Sequence, residues 1–365
     1  MENEGANMHK NRLERLREAL DTRGLNAIIV CKPENRAYLS GFTGSAGVLL
    51  VTDQKAFLIT DFRYVEQATA QAPAFEVLRA TSTNAALLQE LMDKLGVAKV
   101  GYEGDFLSVD EFENFRQTFI KQELHSVSGL VESLRLLKDD TELNLMRRAA
   151  AIADEAFAQI MPMIKVGVVE RDLAVELEYR MKKLGAEGLA FEIICASGVR
   201  SSLPHGHASA KVIERGDLVT FDFGALYEGY CSDMTRTVMV GEPTAKQREI
   251  YEIVLEAQLR GVAACRAGIT GKDLDDACRS YIAEKGYGEA FGHGTGHGVG
   301  RFIHEGPKVS QRGGEDVLKA GMVVTIEPGI YLPGWGGVRI EDMVLVTETG
   351  CEIFTKTPKQ LIILD

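Results

Sequence analysis

The sequence of 365 residues predicts a small α/β domain followed by a larger α+β domain, and three observations carry that reading. The chain is longer than the size at which a single hydrophobic core usually stops growing, so two domains of unequal size are expected. Short β-branched runs alternate with helical patterns up to about residue 133, where a long amphipathic helix takes over. Beyond that point one plan, helices followed by a pair of extended segments, occurs twice.

Composition narrows the partners. Hydrophobic residues make up 45% and charged residues 26%, which is ordinary globular usage. A net charge of −12 repels phosphate backbones and anionic lipid, so neither nucleic acid nor a membrane is an expected partner. The six cysteines are scattered with no C-x-x-C pair and read as free thiols of a reducing compartment. Met1 to Arg12 is polar, without the apolar stretch of a signal peptide, and no later run reaches membrane-spanning length. The expected location is cytoplasmic. Either Met1 or Met8 could serve as the start.

In the first domain the strands are Leu25 to Val30, Val48 to Thr52 and Ala56 to Thr60, apolar runs bounded by Gly, Pro or Asp. Asp139 stands three residues before Glu142, a variant capping box that opens a helix through Phe157. This places the domains at 1–133 and 134–365. In the second, helical patterns from Thr141 to Leu184 precede Leu218 to Phe223 and Tyr230 to Val240. Helical patterns from Ala245 to Lys285 precede Met322 to Ile330 and Val338 to Val346. The two sets are offset by about 105 to 108 residues, too long for a solenoid period, and suggest a duplicated unit with a site between its halves.

The chemistry lies in the extended pairs. Alternation puts Val219, Phe221 and Phe223 on one face and Leu218, Thr220 and Asp222 on the other. A hairpin turning at Tyr227 and Glu228 would set Asp222 opposite Asp233, and one turning about Gly334 would set Glu327 opposite Glu341. Like charges directly opposite are destabilising, and on solvated faces they would repel weakly. Their neighbours here are apolar strand residues, so the acids need a cation. A further ligand is suggested by Gly292-His293-Gly294-Thr295-Gly296-His297-Gly298-Val299-Gly300, whose alternate glycines leave imidazoles uncovered. Oxygen ligands with one imidazole favour Mn²⁺, Co²⁺, Fe²⁺ or Zn²⁺, and paired ions point to hydrolysis.

Asp222 in T-F-D-F-G, Asp233 in Y-C-S-D-M-T-R-T, His297 in G-H-G-T-G-H-G-V-G, Glu327 in T-I-E-P-G and Glu341 in V-R-I-E-D resemble, in order and in context, the five metal ligands of the pita-bread metallopeptidases. P-E-N-R-A-Y-L-S-G-F from Pro33 to Phe42 and T-D-F-R-Y from Thr60 to Tyr64 resemble the creatinase/prolidase N-terminal domain. The resemblance covers nearly the whole chain and points to the Xaa-Pro peptidase branch, Xaa-Pro dipeptidase (prolidase) or aminopeptidase P. It implies an α/β N-terminal domain with an α+β pita-bread catalytic domain, and two divalent ions per subunit, Mn²⁺ first with Co²⁺ or Zn²⁺ as other candidates. The implied substrate is a peptide with proline second and a free N-terminus, and the implied assembly is a homodimer.

Carried over by residue, the resemblance makes Asp222 a chelator of one ion, Asp233 and Glu341 bridges, and His297 and Glu327 holders of the other. Glu327 also matches the general base, and His205, His293 and His304 match catalytic and substrate-side histidines. Arg339 is implied to bind substrate or to order the acidic cluster, and a plain salt bridge fits it nearly as well. His207, two residues from His205, has no counterpart in the pattern and reads as structural. Two other readings stand beside this one. A creatinase-like amidinohydrolase shares the architecture without metal, and the retained ligand types argue against it. A non-catalytic pita-bread interaction protein would show eroded ligands and added basic segments, and this chain has neither.

Overall fold

The computed structural model describes residues 2–365, with side chains from Met8 onward, and Met1 lies outside the described residues. The chain divides into two compact units, Met1–Arg135 and Leu136–Asp365. In the first, strands β1 (Ala27–Val30), β2 (Val48–Thr52), β3 (Ala56–Thr60), β4 (Glu76–Arg79), β5 (Lys99–Tyr102) and β6 (Glu123–Ser126) form one mixed sheet in the order β4-β3-β2-β1-β5-β6. Every residue of β1 is buried, because helices cover both faces. Ile28 and Val30 pack with Leu16 and Leu39 on one side, and Ala27 and Ile29 pack with Leu88, Met92 and Phe115 on the other. A strand covered on both faces reads as a continuous apolar run, and β1 does.

The second unit opens with helix Asp140–Ile160, whose N-cap Asp139 accepts from the Glu142 N–H while the Glu142 carboxylate accepts from the Asp139 N–H. With helix Glu170–Lys183 it covers the sheet of Ile194–Ser197, Leu218–Phe223, Met234–Val240 and Ile363–Leu364, burying Phe157 against Phe221 and Phe223. Helices Ala245–Ala264 and Gly271–Glu284 cover a second sheet that includes Gly296–Gly298, Val323–Ile326 and Asp342–Val346. Val324, Ile326 and Val344 fill the core beneath them. The helices-plus-hairpin plan thus recurs, and the faces turned away from the helices meet. The Thr237 hydroxyl donates to the Arg339 carbonyl at 2.9 Å, and Thr235 Oγ1 donates to Glu341 Oε2 at 2.7 Å.

The first hairpin corrects the sequence reading by one residue. Its turn lies at Glu228 and Gly229, with Tyr227 paired to Tyr230, so Asp222 stands opposite Thr235 rather than Asp233. Both turn residues have left-handed φ, 46° and 73°, which the tight hairpin turn of right-twisted strands demands and glycine supplies most cheaply. The second hairpin keeps the expected register: Gly329 pairs with Arg339 and Ile326 with Asp342, which brackets Glu327 and Glu341. Three of the four extended runs are interrupted, and the fourth, Leu218–Phe223, is unbroken and ends at Gly224. Within the other three, ladder pairing stops at Ser232–Asp233, Glu327–Pro328 and Ile340–Glu341. At Gly224 a Cβ would lie 1.9 Å from the Ser232 carbonyl oxygen, so the bend there requires glycine.

Candidate metal centre

Three of the four acids sit where the ladders break, which frees their side chains to converge, and Asp222 reaches the same place from within its strand. Ligand oxygens of Asp222, Asp233 and Glu341 lie within 4.8 Å of one another. His297 Nε2 is 3.6 Å from Asp233 Oδ2 and 3.5 Å from Glu327 Oε1. The sequence-predicted five are therefore brought together in the lining of a cavity of about 340 Å³, together with His205, His293, His304 and Arg339.

The donor set fits divalent cations, and protonation alone does not explain it. His297 Nδ1 faces the Gly298 carbonyl at 3.1 Å, and a carbonyl can only accept, so Nδ1 carries the proton. Nε2 then presents a lone pair to two carboxylate oxygens. Burial, with His304 beside it, pushes the His297 imidazole down to about 4, so it does not supply the missing positive charge at neutral pH. Asp222 Oδ1 is buried with no hydrogen-bond partner.

The next residue in the chain shows the contrast. Asp342 is also buried, yet it accepts from Arg236, Thr355, Gln258 and Lys359, and these charges and hydrogen bonds hold its carboxyl below the usual range. Asp233 and Glu341 are pushed well above that range by burial and then by neighbouring acids, Glu341 first for Asp233 and Glu327 first for Glu341. Burial likewise lifts Glu327 to about 8, against the pull of Arg339. The fold neutralises Asp342 with two close cations of its own and, among the described residues, places none within hydrogen-bond reach of the carboxylates of Asp233, Glu327 or Glu341.

Arg339 is the protein's cation inside the cluster, and all three of its guanidinium nitrogens donate hydrogen bonds. It donates to Asp222 Oδ2 at 2.5 Å, to Tyr331 Oη at 2.8 Å, and to the Pro204 carbonyl and Thr235 Oγ1 at 3.1 Å each. Tyr331 Oη also lies 2.8 Å from His293 Nε2, and His293 Nδ1 lies 2.8 Å from the Gly294 carbonyl. The same carbonyl argument makes Nδ1 the protonated nitrogen, so Tyr331 donates to Nε2. Both nitrogens of His293 are therefore occupied, and burial with Arg339 nearby lowers its imidazole to about 4. By contrast, neither the His205 nor the His304 imidazole has a hydrogen-bond partner among the described residues. The His304 ring stands 4.3 Å from that of His297. His207 turns away and pairs loosely with Glu192 at 3.5 Å, both half or more exposed.

Tyr331 carries no sequence signal, because its role depends on Arg339 and His293 arriving from other segments. We expect Tyr331→Phe to leave buried groups on both neighbours unpaired and to lower stability by about 1 to 3 kcal/mol, read by denaturant melts. Lys308 was legible in principle: it follows His304 by four residues and pairs in register with His297, hence on the same side of the strand. Among the described residues lining the cavity, Lys308 is the cation with no ion-pair partner. Phe191, Ile194 and Ile303 supply apolar wall.

Comparison with known proteins agrees with this geometry. The model of metallopeptidase family M24 matches residues 144–348, and that of the creatinase/prolidase N-terminal domain matches residues 12–137. The Xaa-Pro dipeptidase of Pyrococcus furiosus is 44% identical over 365 residues, spanning 97% of this chain and all of the relative. The structure of an Xaa-Pro dipeptidase from Bacillus anthracis matches with a TM-score of 0.96 at 51% identity, covering 98% of this chain and 100% of that one. An X-Pro aminopeptidase from Thermotoga maritima matches with a TM-score of 0.88 at 41% identity, covering 93% and 98%. The family implies divalent metal ions, and the converging carboxylates and His297 are the donors that suit them. This chain, a creatinase-type N-terminal domain joined to a pita-bread catalytic domain, belongs to metallopeptidase family M24.

Proposed function

We propose that the protein hydrolyses the Xaa-Pro bond of dipeptides, using two divalent ions held by Asp222, Asp233, His297, Glu327 and Glu341. The observation that carries this is the unprotonated Nε2 of His297 aimed at Asp233 and Glu327 beside a cavity lined by two uncommitted imidazoles. When bound, the ions polarise the scissile carbonyl and acidify a water. Glu327, next to that position, accepts the proton of the attacking water and returns it to the leaving proline nitrogen. His205 and His304, with free ring nitrogens, donate to the carbonyl oxygen as charge develops on it. Arg339 and Tyr331 hold Asp222 and His293 in place rather than touching the peptide. An Xaa-Pro bond is a tertiary amide without an N–H, so a site that grips the carbonyl and the free amino end suits it better than a strand-reading cleft.

Lys308 favours the dipeptide. A dipeptide ends in a carboxylate immediately beyond the proline, and an unpaired ammonium in the cavity gives that charge a partner which the neutral amide of a longer peptide does not need. The test compares Ala-Pro, Ala-Pro-Ala and Ala-Ala with Mn²⁺ present. We expect Ala-Pro to be preferred, Ala-Ala to be left intact, and Lys308→Met to raise KM for Ala-Pro about tenfold or more while sparing Ala-Pro-Ala. Equal cleavage of Ala-Ala and Ala-Pro would overturn the substrate assignment.

Manganese as the cellular ion, a count of two, a homodimer and a cytoplasmic location are proposed from the same family likeness. Among the described residues no helix is long and apolar enough to cross a membrane. Active protein free of metal on elemental analysis would overturn the ligand assignment and favour the metal-free amidinohydrolase.

A further inference from the structure

The loop between Ser197 and Ser209 carries His205 into the cavity, and a single carboxylate outside the cavity holds both of its ends. Glu170, the first residue of helix Glu170–Lys183, is 0% exposed. Its Oε1 accepts from the Ser197 N–H at 2.7 Å and the Ser197 hydroxyl at 2.8 Å. Its Oε2 accepts from the Ser209 N–H at 3.1 Å and the Ser209 hydroxyl at 2.7 Å, and Arg200 donates to the same oxygen. The second arm of Arg200 donates to the His207 carbonyl at 2.8 Å. Between these clamps the loop is tied to the other half of the unit: the Gly337 N–H donates to Ser201 Oγ at 2.8 Å, and Arg339 donates to the Pro204 carbonyl.

A buried carboxylate is costly to place unless its acceptor capacity is filled. Here that capacity is filled almost entirely by the two ends of one loop, 12 residues apart in sequence, and the loop's one contribution to the cavity chemistry is His205. We propose that Glu170 is a positioning residue for His205: by fixing Ser197 and Ser209 together it sets where the imidazole stands relative to the acidic cluster. The proposal rests on the reading of His205 as a residue that faces the substrate.

Glu170→Gln tests it with little change in shape. A glutamine offers one acceptor oxygen and one donor NH₂, so whichever way it turns, one end of the loop faces a donor with a donor. Misplacement of a catalytic group by about 1 Å can cost about 10²-fold in rate. We expect Glu170→Gln to lower kcat/KM for Ala-Pro by about 10- to 100-fold with metal content unchanged. In a His205→Ala background the same substitution should change it less than about twofold, because residues acting through one another are not additive. The same factor in both backgrounds, or no loss in either, would overturn the proposal.

Amide hydrogen exchange supplies a readout independent of activity. Residues 198–209 should exchange faster in Glu170→Gln while the strand Leu218–Phe223 keeps wild-type protection; unchanged exchange in the loop overturns the proposal. A wild-type enzyme with no Xaa-Pro turnover would overturn the functional reading instead, and the exchange experiment would still decide whether Glu170 holds the loop. Should Glu170→Gln fail to fold, Ser209→Ala, which removes one donor from one end, carries the same comparisons.

Discussion

Stripped of divalent ions, the protein is expected to melt at progressively lower temperature as pH rises from about 6.5 to 8, and the metal-loaded protein is expected to show little of that slope. The sign follows from linkage. Glu327 is raised from an ordinary 4.5 to about 8 by burial, and Asp233 and Glu341 are displaced in the same direction. A folded-state value above the unfolded one means the folded chain holds protons that the unfolded chain has released, so the stability present below the unfolded value is lost as pH climbs toward the folded one. Each such group contributes a slope of about 1.4 kcal/mol per pH unit across its window. Below about pH 6.5 the trend is opposed by His293 and His297, whose imidazoles burial lowers to about 4 so that the unfolded chain takes up their protons first, and at lower pH also by carboxyls held low, such as Asp342 and Asp275.

Substitution sharpens this expectation because its sign depends on the metal. In the metal-free protein Asp233→Asn removes one of several buried, mutually repelling carboxyls, so it should raise the melting temperature at pH 8. In the presence of Mn²⁺ the same variant should melt below wild type, because the ions that stabilise the folded state have lost a ligand. Melting curves of both proteins, with chelator and with Mn²⁺, check both halves. A metal-free wild type with a flat pH response from about 6.5 to 8 would show that these acids are neutralised by the protein itself.

The legibility of this site in the sequence follows from which forces are local. Alternation alone separates Asp222 from Phe221 and Phe223, and the structure places the two aromatic rings against Phe157 and Asp222 on the opposite face. The second hairpin kept its expected register because Gly334, with φ of 77°, anchors a glycine-rich turn. The first was misplaced by one residue because Glu228 adopts a left-handed φ that its side chain does not advertise, leaving Gly229 as the sole marker of the turn. The ladder breaks at Ser232–Asp233 and Ile340–Glu341 were hidden within apolar alternation, and they are what lets the acids converge. Tyr331 and Glu170 were beyond local reasoning altogether: each is defined by partners brought from more than one distant segment, and nothing in its own neighbourhood distinguishes it from an ordinary strand tyrosine or first-turn glutamate.

Glu327→Gln is expected to lower turnover by about 10²- to 10⁴-fold while leaving KM for Ala-Pro within a few-fold of wild type, the range general acid–base groups commonly supply. The substitution retains one oxygen for an ion and the shape of the side chain. Its backbone N–H still reaches the Thr295 carbonyl, 2.7 Å away in the structure, so the segment stays in place. What disappears is the proton acceptor. The position suits the task in two ways: Oε1 faces His297 Nε2 and accepts weakly from Thr325 at 3.3 Å, and no strong hydrogen bond from the protein ties up its basicity. The metal-free variant should also lose part of the pH-dependent destabilisation, because the carboxyl lifted to about 8 is gone. Steady-state kinetics, metal analysis and melting on one preparation separate the roles. Near-wild-type turnover with both ions bound would reduce Glu327 to a ligand, and the proton acceptor would then be sought at His304, whose imidazole is held below its ordinary value by burial and whose ring stands beside His297.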